Sequence, residues 1–205
     1  MQQQLYVTGL APQQLLEKLD VFIAKIEQLL DLLGLDLRAN QLDHIALRIN
    51  DPQLAQVAHQ AWLAYGEEIS CAQINGRPII VIRFNQPLQV SHWQIECLEL
   101  PYPAQGKTYP AQGKTYPEQS WEHVEFVIPS QALSAEAFCE ELKGGYPSLA
   151  EKWHQLNGLG IKVKLSSPQG EGERLANPTV AFQWQGVCIK LHPHPLQTIV
   201  ESERA

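Results

Sequence analysis

The sequence predicts an α+β fold, a single domain over residues 1–205 in which two tandem βαβββ modules follow an N-terminal helical extension. Two observations lead to this fold class. Short strand-like segments around His44 and His123 share one pattern: an acidic residue, then the histidine, then alternating apolar positions. The same order of elements, a strand, a helix and three strands, accompanies each segment, and the two histidines lie far enough apart for each to begin its own module.

The composition limits the function classes. The chain has 205 residues, of which 44% are hydrophobic and 18% charged, so it can fill a sizeable core. Its formal net charge of −7 argues against a nucleic-acid partner, because phosphate binding requires clustered Lys and Arg. The sequence shows no signal-peptide pattern and no apolar stretch long enough for a bilayer. We therefore expect a cytoplasmic protein that acts on a small molecule and has no nucleic-acid or membrane partner, with its oligomeric state left open.

A helix precedes the modules and a linker separates them. Apolar residues at three- and four-residue spacing predict an amphipathic helix over residues 12–34, with Gly34 as its end. The linker, residues 103–119, contains PAQGKTY twice in succession, which indicates a small surface insertion. Its Gln-Gly-Lys-Thr segment resembles the end of a phosphate-binding loop but lacks the first glycine of that motif, so we expect no nucleotide site.

The first module is predicted over residues 41–102. Its opening strand, about residues 42–49, is followed by Asp51–Pro52, a favourable N-cap and first-turn pair for a helix. Asn75–Gly76 is a strong signal for a hairpin turn. The three remaining strands are expected near residues 68–73, 78–84 and 90–100.

The second module is predicted over residues 120–195. Ser134 is suited to cap its helix, and Ser148 and Glu151 form a capping-box pattern for a further short helix. Gln185–Gly186 predicts the turn before the last strand. The strands are expected at residues 161–165, 179–184 and 187–192, with a polar, turn-rich loop at 166–174 over one mouth of the fold.

The two matched histidines are the first candidates for function. Histidines at the same place on the first strands of two similar modules can meet across a pseudo-twofold axis, which is a ready way to build a metal site. Taken singly, His44 or His123 fits a buried structural residue better than a ligand, and it is their matched placement that makes a metal site an equal alternative. Imidazole nitrogen and carboxylate oxygen together suit Zn, Fe(II), Mn, Ni or Co, and the sequence does not choose among these metals.

Short segments in both modules resemble those of a known protein family. They are DHIALR (43–48), INGRPI (74–79), HWQ (92–94), LELP (98–101), WEHVE (121–125), SSP (166–168), NPT (177–179) and IKLHP (189–193). In these segments the sequence resembles the YecM-type proteins of the vicinal oxygen chelate superfamily, over about residues 12–203. The resemblance implies paired βαβββ modules that form a cupped partial barrel around a divalent metal ion.

The resemblance also implies which residues hold the metal, because this superfamily takes one ligand from the first strand and one from the last strand of each module. His44 lies in the His-x-x-Leu-Arg context of a histidine ligand, Glu99 lies in the Leu-Glu-Leu context of a carboxylate ligand, and His123 matches the histidine of the second module. Lys190 departs from the pattern, since a glutamate is expected there. The expected ligands are therefore His44, Glu99 and His123.

Strand parity leaves part of this ligand set open. In a regular strand, His92 and Glu96 face the side opposite to Glu99, so either could replace Glu99 unless a bulge intervenes. His192 lies two residues after Lys190 on the same strand face and is a further candidate ligand.

Four residues are candidates for substrate binding and catalysis. Glu125 shares a strand face with His123 and suits a general base. Lys190 is suited to hold an anionic substrate, or to act as a base if burial lowers its pKa. Arg48 suits a carboxylate or phosphate group, and Trp121 is expected to form a pocket wall.

These residues lead to two hypotheses about function. The first is a metal-dependent enzyme of the vicinal oxygen chelate kind, a lyase, isomerase or dioxygenase that acts on a small anionic, oxygen-rich substrate. The alternative is a non-catalytic protein that binds a small anion, in which an ion pair between Glu99 and Lys190 replaces the metal.

Overall fold

The computed structural model describes residues 2–74, 77–103, 118–167 and 175–204. Within these ranges, none of the helices combines the length and the apolar character needed to cross a membrane. Three predicted features lie outside the described residues: the Asn75–Gly76 turn, nearly all of the duplicated heptapeptide and most of the 166–174 loop.

The N-terminal extension consists of three helices, where the sequence predicted one. They are α1 (Gln2–Thr8), α2 (Pro12–Glu17) and α3 (Leu19–Leu33). The Lys18 amide donates a hydrogen bond to the carbonyl oxygen of Leu15, three residues earlier. This hydrogen bond forms a tight turn that separates α2 from α3. Gly34 ends α3 in the left-handed conformation with φ of 73°, as predicted.

The first module contains one helix and four strands in the predicted order. They are β1 (Leu42–Arg48), α4 (Pro52–Trp62), β2 (Gly66–Ile74), β3 (Arg77–Val90) and β4 (Trp93–Pro101). The predicted N-cap is confirmed, since the Asp51 carboxylate accepts a hydrogen bond of 2.8 Å from the Leu54 amide.

The second module repeats this order with two additions, a short second helix and a C-terminal helix. Its elements are β5 (Ser120–Val127), α5 (Ala135–Gly145), α6 (Pro147–Lys152), a 3₁₀ turn (Trp153–Gln155), β6 (Lys162–Ser166), β7 (Thr179–Trp184), β8 (Val187–His192) and α7 (Leu196–Arg204). Ser134 caps α5 as predicted, by accepting a hydrogen bond from the Ala137 amide. The capping box at Ser148 does not form. Pro147 starts α6 one residue earlier, so Ser148 already lies inside the helix.

The strands form one sheet of eight in the order β2-β3-β4-β1-β5-β8-β7-β6. Within each module the first strand pairs with the last in parallel, β1 with β4 and β5 with β8. The modules join at the centre, where β1 and β5 are antiparallel. The predicted α+β architecture of two paired modules is therefore confirmed.

One face of the sheet packs against the helices and forms the core. Its largest fully buried side chains include Trp62, Phe126, Phe138 and Phe182. The other face lines a cleft of about 700 Å³. Because β1 and β5 lie at the centre of the sheet, the first strands of both modules meet in this cleft.

Candidate metal centre

A β-bulge at Asp43 determines which side chains of β1 reach the cleft. Leu42 pairs with Phe126 and His44 pairs with Glu125, so Asp43 is an extra residue in β1. Leu42 and Phe126 are therefore in the core, whereas His44 and Glu125 line the cleft.

A second bulge lies in β5. Ala46 pairs with His123 and Leu47 pairs with Trp121, which makes Glu122 the extra residue. His123 consequently lines the cleft, while Trp121 is buried in the core and its indole Nε1 donates a hydrogen bond of 2.8 Å to a backbone carbonyl of α2. The structure places Trp121 behind the sheet, contrary to the expectation that it walls a substrate pocket.

Strand β4 presents Glu99 to the cleft. The alternation of buried and exposed residues along β4 breaks after Ile95, so that Ile95 and Leu98, three residues apart, both point into the core. The register of β4 with β3 shifts at the same place. Glu99 therefore lines the cleft. Glu96 and His92 are exposed and lie outside the set of residues that line it.

The cleft ends in a buried cluster of His44, Glu99, His123 and Glu125. One ligand atom from each of these residues lies within 4.8 Å of the corresponding atoms of the others. His44 Nε2 is 3.3 Å from a Glu99 oxygen and 3.4 Å from a Glu125 oxygen. The ring centroids of His44 and His123 are 6.3 Å apart. The two modules thus bring their histidines to the same point, which is the arrangement that the repeated pattern predicted.

Asp43 fixes the orientation of His44. Its Oδ2 lies 3.0 Å from His44 Nδ1 and also accepts a hydrogen bond of 2.8 Å from the Leu196 amide at the start of α7. His44 Nδ1 is therefore the protonated nitrogen, and Nε2 points toward Glu99 and Glu125. Among the described residues His44 Nε2 is buried and makes no well-directed hydrogen bond. An imidazole held through Nδ1 in this way, with Nε2 directed at two carboxylates, has the arrangement of a metal ligand once Nε2 is deprotonated.

Lys190 reaches into the same cluster. Its ammonium lies 2.6 Å from Glu125 Oε1 and 2.8 Å from His123 Nε2. The ion pair that forms is thus Lys190–Glu125, where the sequence suggested Lys190–Glu99. The reason is the register of the parallel pair β5/β8, which places Glu125 directly opposite Lys190.

His192 lies beside the cluster and is almost completely buried. Its Nε2 is 3.8 Å from Asp43 Oδ2 and 3.9 Å from Glu125 Oε2, too far for hydrogen bonds. In the described part of the chain neither of its ring nitrogens has a hydrogen-bond partner. Asp43, His44 and His192 form a second group with ligand atoms within 4.8 Å of one another. His192 therefore adds to the predicted ligands without displacing Glu99.

The open part of the cleft carries basic side chains from several strands. Arg48, Arg77 and Lys164 line it, together with neutral polar residues such as Asn177. Arg48 forms an ion pair with Glu122 across the β1/β5 junction. The predicted substrate-binding arginine is therefore at the cleft, with an acidic neighbour.

Comparisons with known proteins show the family to which the chain belongs. The model of the family described as "YecM protein" matches residues 11–203. The chain belongs to the YecM family. Protein YecM of Escherichia coli (strain K12) is 36% identical over 195 residues, which cover 94% of each chain. An uncharacterized protein of Haemophilus influenzae is 30% identical over 184 residues, 87% of this chain and 88% of the other. A solved structure described as "Structural Genomics, Protein EC4020" has a TM-score of 0.73 and 34% identity, and the match covers 95% of this chain and 93% of that one. The family expected from sequence is thus confirmed.

The charges of this YecM-family site shift the pKa values of its acidic groups downward. Burial opposes ionisation of Glu99, but the adjacent His44 imidazole and the charge of Lys190 outweigh it and lower the pKa of Glu99 to about 2. Burial also opposes ionisation of Glu125, and the Lys190 ammonium and His44 hold its pKa well below the ordinary value. Both carboxylates are therefore ionised at neutral pH.

The basic groups of the site respond in opposite directions. Burial would lower the pKa of His44, but Glu125, Asp43 and Glu99 raise it well above the ordinary value. Burial and the neighbouring Lys190 ammonium lower the pKa of His123. Burial would lower the pKa of Lys190 too, yet Glu125 and Glu99 raise it. Lys190 is therefore a cation and a proton donor here, contrary to the idea that burial makes it a base.

Proposed function

We propose that this chain is a metal-dependent enzyme of the vicinal oxygen chelate kind that acts on a small, anionic, oxygen-rich substrate. The observation that carries the proposal is the cluster of four ligand atoms from His44, Glu99, His123 and Glu125 at the buried end of the cleft. Two imidazoles with carboxylates are a donor set for Zn, Fe(II), Mn, Ni or Co.

The charge of the cluster supports a bound cation. Three carboxylates, those of Asp43, Glu99 and Glu125, lie in or beside the cluster, and Lys190 pairs directly with Glu125 alone among them. Buried carboxylates require compensation by cations, and a divalent ion supplies it at the point where His44 Nε2 is without a directed partner. We assign His44, Glu99 and His123 as the ligands, with Glu125 beside them.

The remaining residues have roles in binding and proton transfer. A divalent ion held by His44, Glu99 and His123 would act as a Lewis acid toward oxygens of the substrate. Glu125 is ionised, and because Lys190 and His123 contact its Oε1, we assign proton transfer to its Oε2. Lys190 can donate a hydrogen bond to a substrate oxygen, and Arg48 binds an anionic group at the open part of the cleft. We propose that the reaction is that of an isomerase, a lyase or a dioxygenase.

Metal analysis of protein purified without a histidine tag tests this proposal. Wild type, His44→Ala, His123→Ala and His92→Ala are each incubated with the five metals, dialysed and measured by inductively coupled plasma mass spectrometry. We expect about one metal per wild-type chain, retention in His92→Ala, and loss in His44→Ala and His123→Ala. His92 is the matched control because it is exposed and outside the cleft. Equal metal content in all four proteins would contradict the proposal.

A non-catalytic anion-binding protein is the second candidate, and one observation favours it. The Lys190 ammonium already contacts Glu125 and His123, so a cation is present in the cluster without any metal. In this case Arg48 and a freed Lys190 would hold a small acidic molecule. Absence of metal uptake by the wild type at millimolar supply, together with binding of an organic acid, would favour this candidate.

A further inference from the structure

We propose that Lys190 is a built-in counter-ion that must leave its position before a divalent metal can bind, and that its released ammonium then holds the anionic group of the substrate. Metal and anion would therefore bind cooperatively. This inference rests on the proposed function, because it assumes that the cluster at the end of the cleft is a metal site.

The contacts of Lys190 coincide with two candidate ligand atoms. Its Nζ lies 2.8 Å from His123 Nε2 and 2.6 Å from Glu125 Oε1. An ammonium can only donate hydrogen bonds, so in its contact with Lys190 His123 Nε2 accepts with its single lone pair. Glu125 Oε1 lies 3.1 Å from the same nitrogen. A metal ligand uses the same lone pair. The lysine and a metal therefore cannot use His123 Nε2 at the same time.

The Lys190 side chain can leave this position. Its side chain is 28% exposed, whereas that of Glu125 is 8% exposed. It also lines the cleft, and its flexible four-carbon stem can rotate without movement of β8. The ammonium can therefore move into the open part of the cleft while the ligands stay in place.

The charge balance determines where the released ammonium is stable. A divalent ion compensates Glu99 and Glu125, so the lysine loses its carboxylate partner and lies near a positive charge. The wall of the cleft contributes further cations, Arg48 and Arg77. An anion in the cleft stabilises the released ammonium. By reciprocity, any anion that binds this ammonium strengthens metal binding by the same factor.

Metal titration of Lys190→Met tests the displacement step. The methionine has similar length but no charge, so it removes the competitor and keeps the ligands. Mn²⁺ and Zn²⁺ are titrated by isothermal calorimetry into wild type, Lys190→Met and the control Lys164→Met, which removes a lysine of the same cleft from the exposed strand β6. We expect at least about tenfold tighter binding in Lys190→Met, and wild-type affinity in Lys164→Met.

Sulfate tests the anion step. The Mn²⁺ titrations are repeated in sodium sulfate and in sodium chloride of equal ionic strength. We expect sulfate to tighten Mn²⁺ binding to wild type and to Lys164→Met, and to have a clearly smaller effect on Lys190→Met, in which Arg48 and Arg77 remain. An equal effect of sulfate on all three proteins would overturn the anion step.

A labelling experiment on the wild type avoids any effect of substitution on folding. An acetylating reagent that reacts with amines is applied with and without Zn²⁺, and modification of Lys190 is quantified by peptide mass spectrometry. We expect faster modification of Lys190 with Zn²⁺ and an unchanged rate at Lys164. An unchanged rate at Lys190 in Zn²⁺-saturated protein would overturn the displacement.

The outcomes separate this inference from the proposed function. If wild type binds metal and Lys190→Met binds no more tightly, the inference is wrong and the metal site remains. If only Lys190→Met binds metal, the lysine blocks the site in the wild type, and both the displacement and the metal-dependent function are wrong. If neither protein binds metal while both remain folded by circular dichroism, the metal site itself is wrong and the inference fails with it.

Discussion

The two modules have the same arrangement of strands, but the carboxylate of each module lies on a different strand. In the first module Ala46 of β1 lies opposite Glu99 of β4, so the last strand supplies the acid. At the corresponding rung of the second module Glu125 of β5 lies opposite Lys190 of β8, so the first strand supplies the acid and the last strand supplies a cation. In each pair the two side chains point into the cleft, so a carboxylate from either strand reaches the cluster. The second module therefore keeps a carboxylate in the cluster although its last strand carries a lysine where the first module has Glu99.

The acidic residues that precede the two histidines also differ. Asp43 is buried, and its Oδ2 lies 3.0 Å from His44 Nδ1. The Glu122 carboxylate lies 3.8 Å from His123 Nδ1 and pairs with Arg48 instead. Both residues occupy bulges, yet Asp43 orients its histidine and Glu122 does not.

The largest effect on stability is expected when Lys190, in the last strand of the second module, is replaced by glutamate, the residue at the corresponding position of the first module. Lys190→Glu places a new carboxylate against Glu125 and removes its ion-pair partner, so we expect a loss of about 3–5 kcal/mol in the free energy of unfolding without metal. Urea unfolding in EDTA measures this loss. The added substitution Glu125→Ala, which reproduces the Ala46–Glu99 rung, should restore most of the stability.

Lys164→Glu is the matched control, since it makes the same charge change at an exposed position of the cleft. It should leave the free energy of unfolding within about 0.5 kcal/mol of the wild type. If Lys190→Glu is as stable as Lys164→Glu in EDTA, the buried Lys190–Glu125 pair has no energetic role.

A pair of neutral substitutions sharpens the comparison between the two acidic neighbours. Asp43→Asn removes the charge that holds the proton on His44 Nδ1, so we expect metal affinity to fall roughly 10- to 100-fold. Glu122→Gln should leave the affinity nearly unchanged. Competition with a chelating dye measures both values, and equal losses in the two variants would show that neither contact orients its histidine.

The smallest effect on stability is expected at the turn between the third and fourth strands of a module. Gln185 and Gly186 form the turn between β7 and β8 with φ of 44° and 85°, as predicted from sequence. The corresponding turn of the first module, between β3 and β4, also contains a residue other than glycine with positive φ, Ser91 at 46°. Asparagine tolerates positive φ better than glutamine. Gln185→Asn should therefore stabilise the chain by about 0.5 kcal/mol. Thermal unfolding measures the gain, and Gln185→Val should act in the opposite direction.

The sequence predicted the paired modules and the meeting of His44 with His123 because alternation along a strand is a local signal. Trp121 could not be placed in the same way, since a bulge adds one residue and reverses the face of everything before it. The orienting role of Asp43 was missed for the same reason. The Lys190–Glu125 contact depends on the register between strands distant in the chain, which no local pattern specifies.

Helix α7 was missed for a different reason. Its apolar residues Leu196, Ile199 and Val200 have helical spacing, but a segment of nine residues is too short to form a stable helix by itself. Its placement comes from tertiary contacts, since Ile199 and Val200 are buried and Leu196 bonds to Asp43.

One carboxylate oxygen, Asp43 Oδ2, holds both the amide that begins this last helix and the imidazole of the first strand. The helix is therefore mechanically tied to the reactive end of the cleft, and it also walls that cleft through Leu196 and Ile199. A fluorescent reporter attached to its solvent-facing side would register occupancy of the cleft by any ligand that moves the helix. A screen for the substrate could thus be read from this helix whatever reaction the cleft carries out.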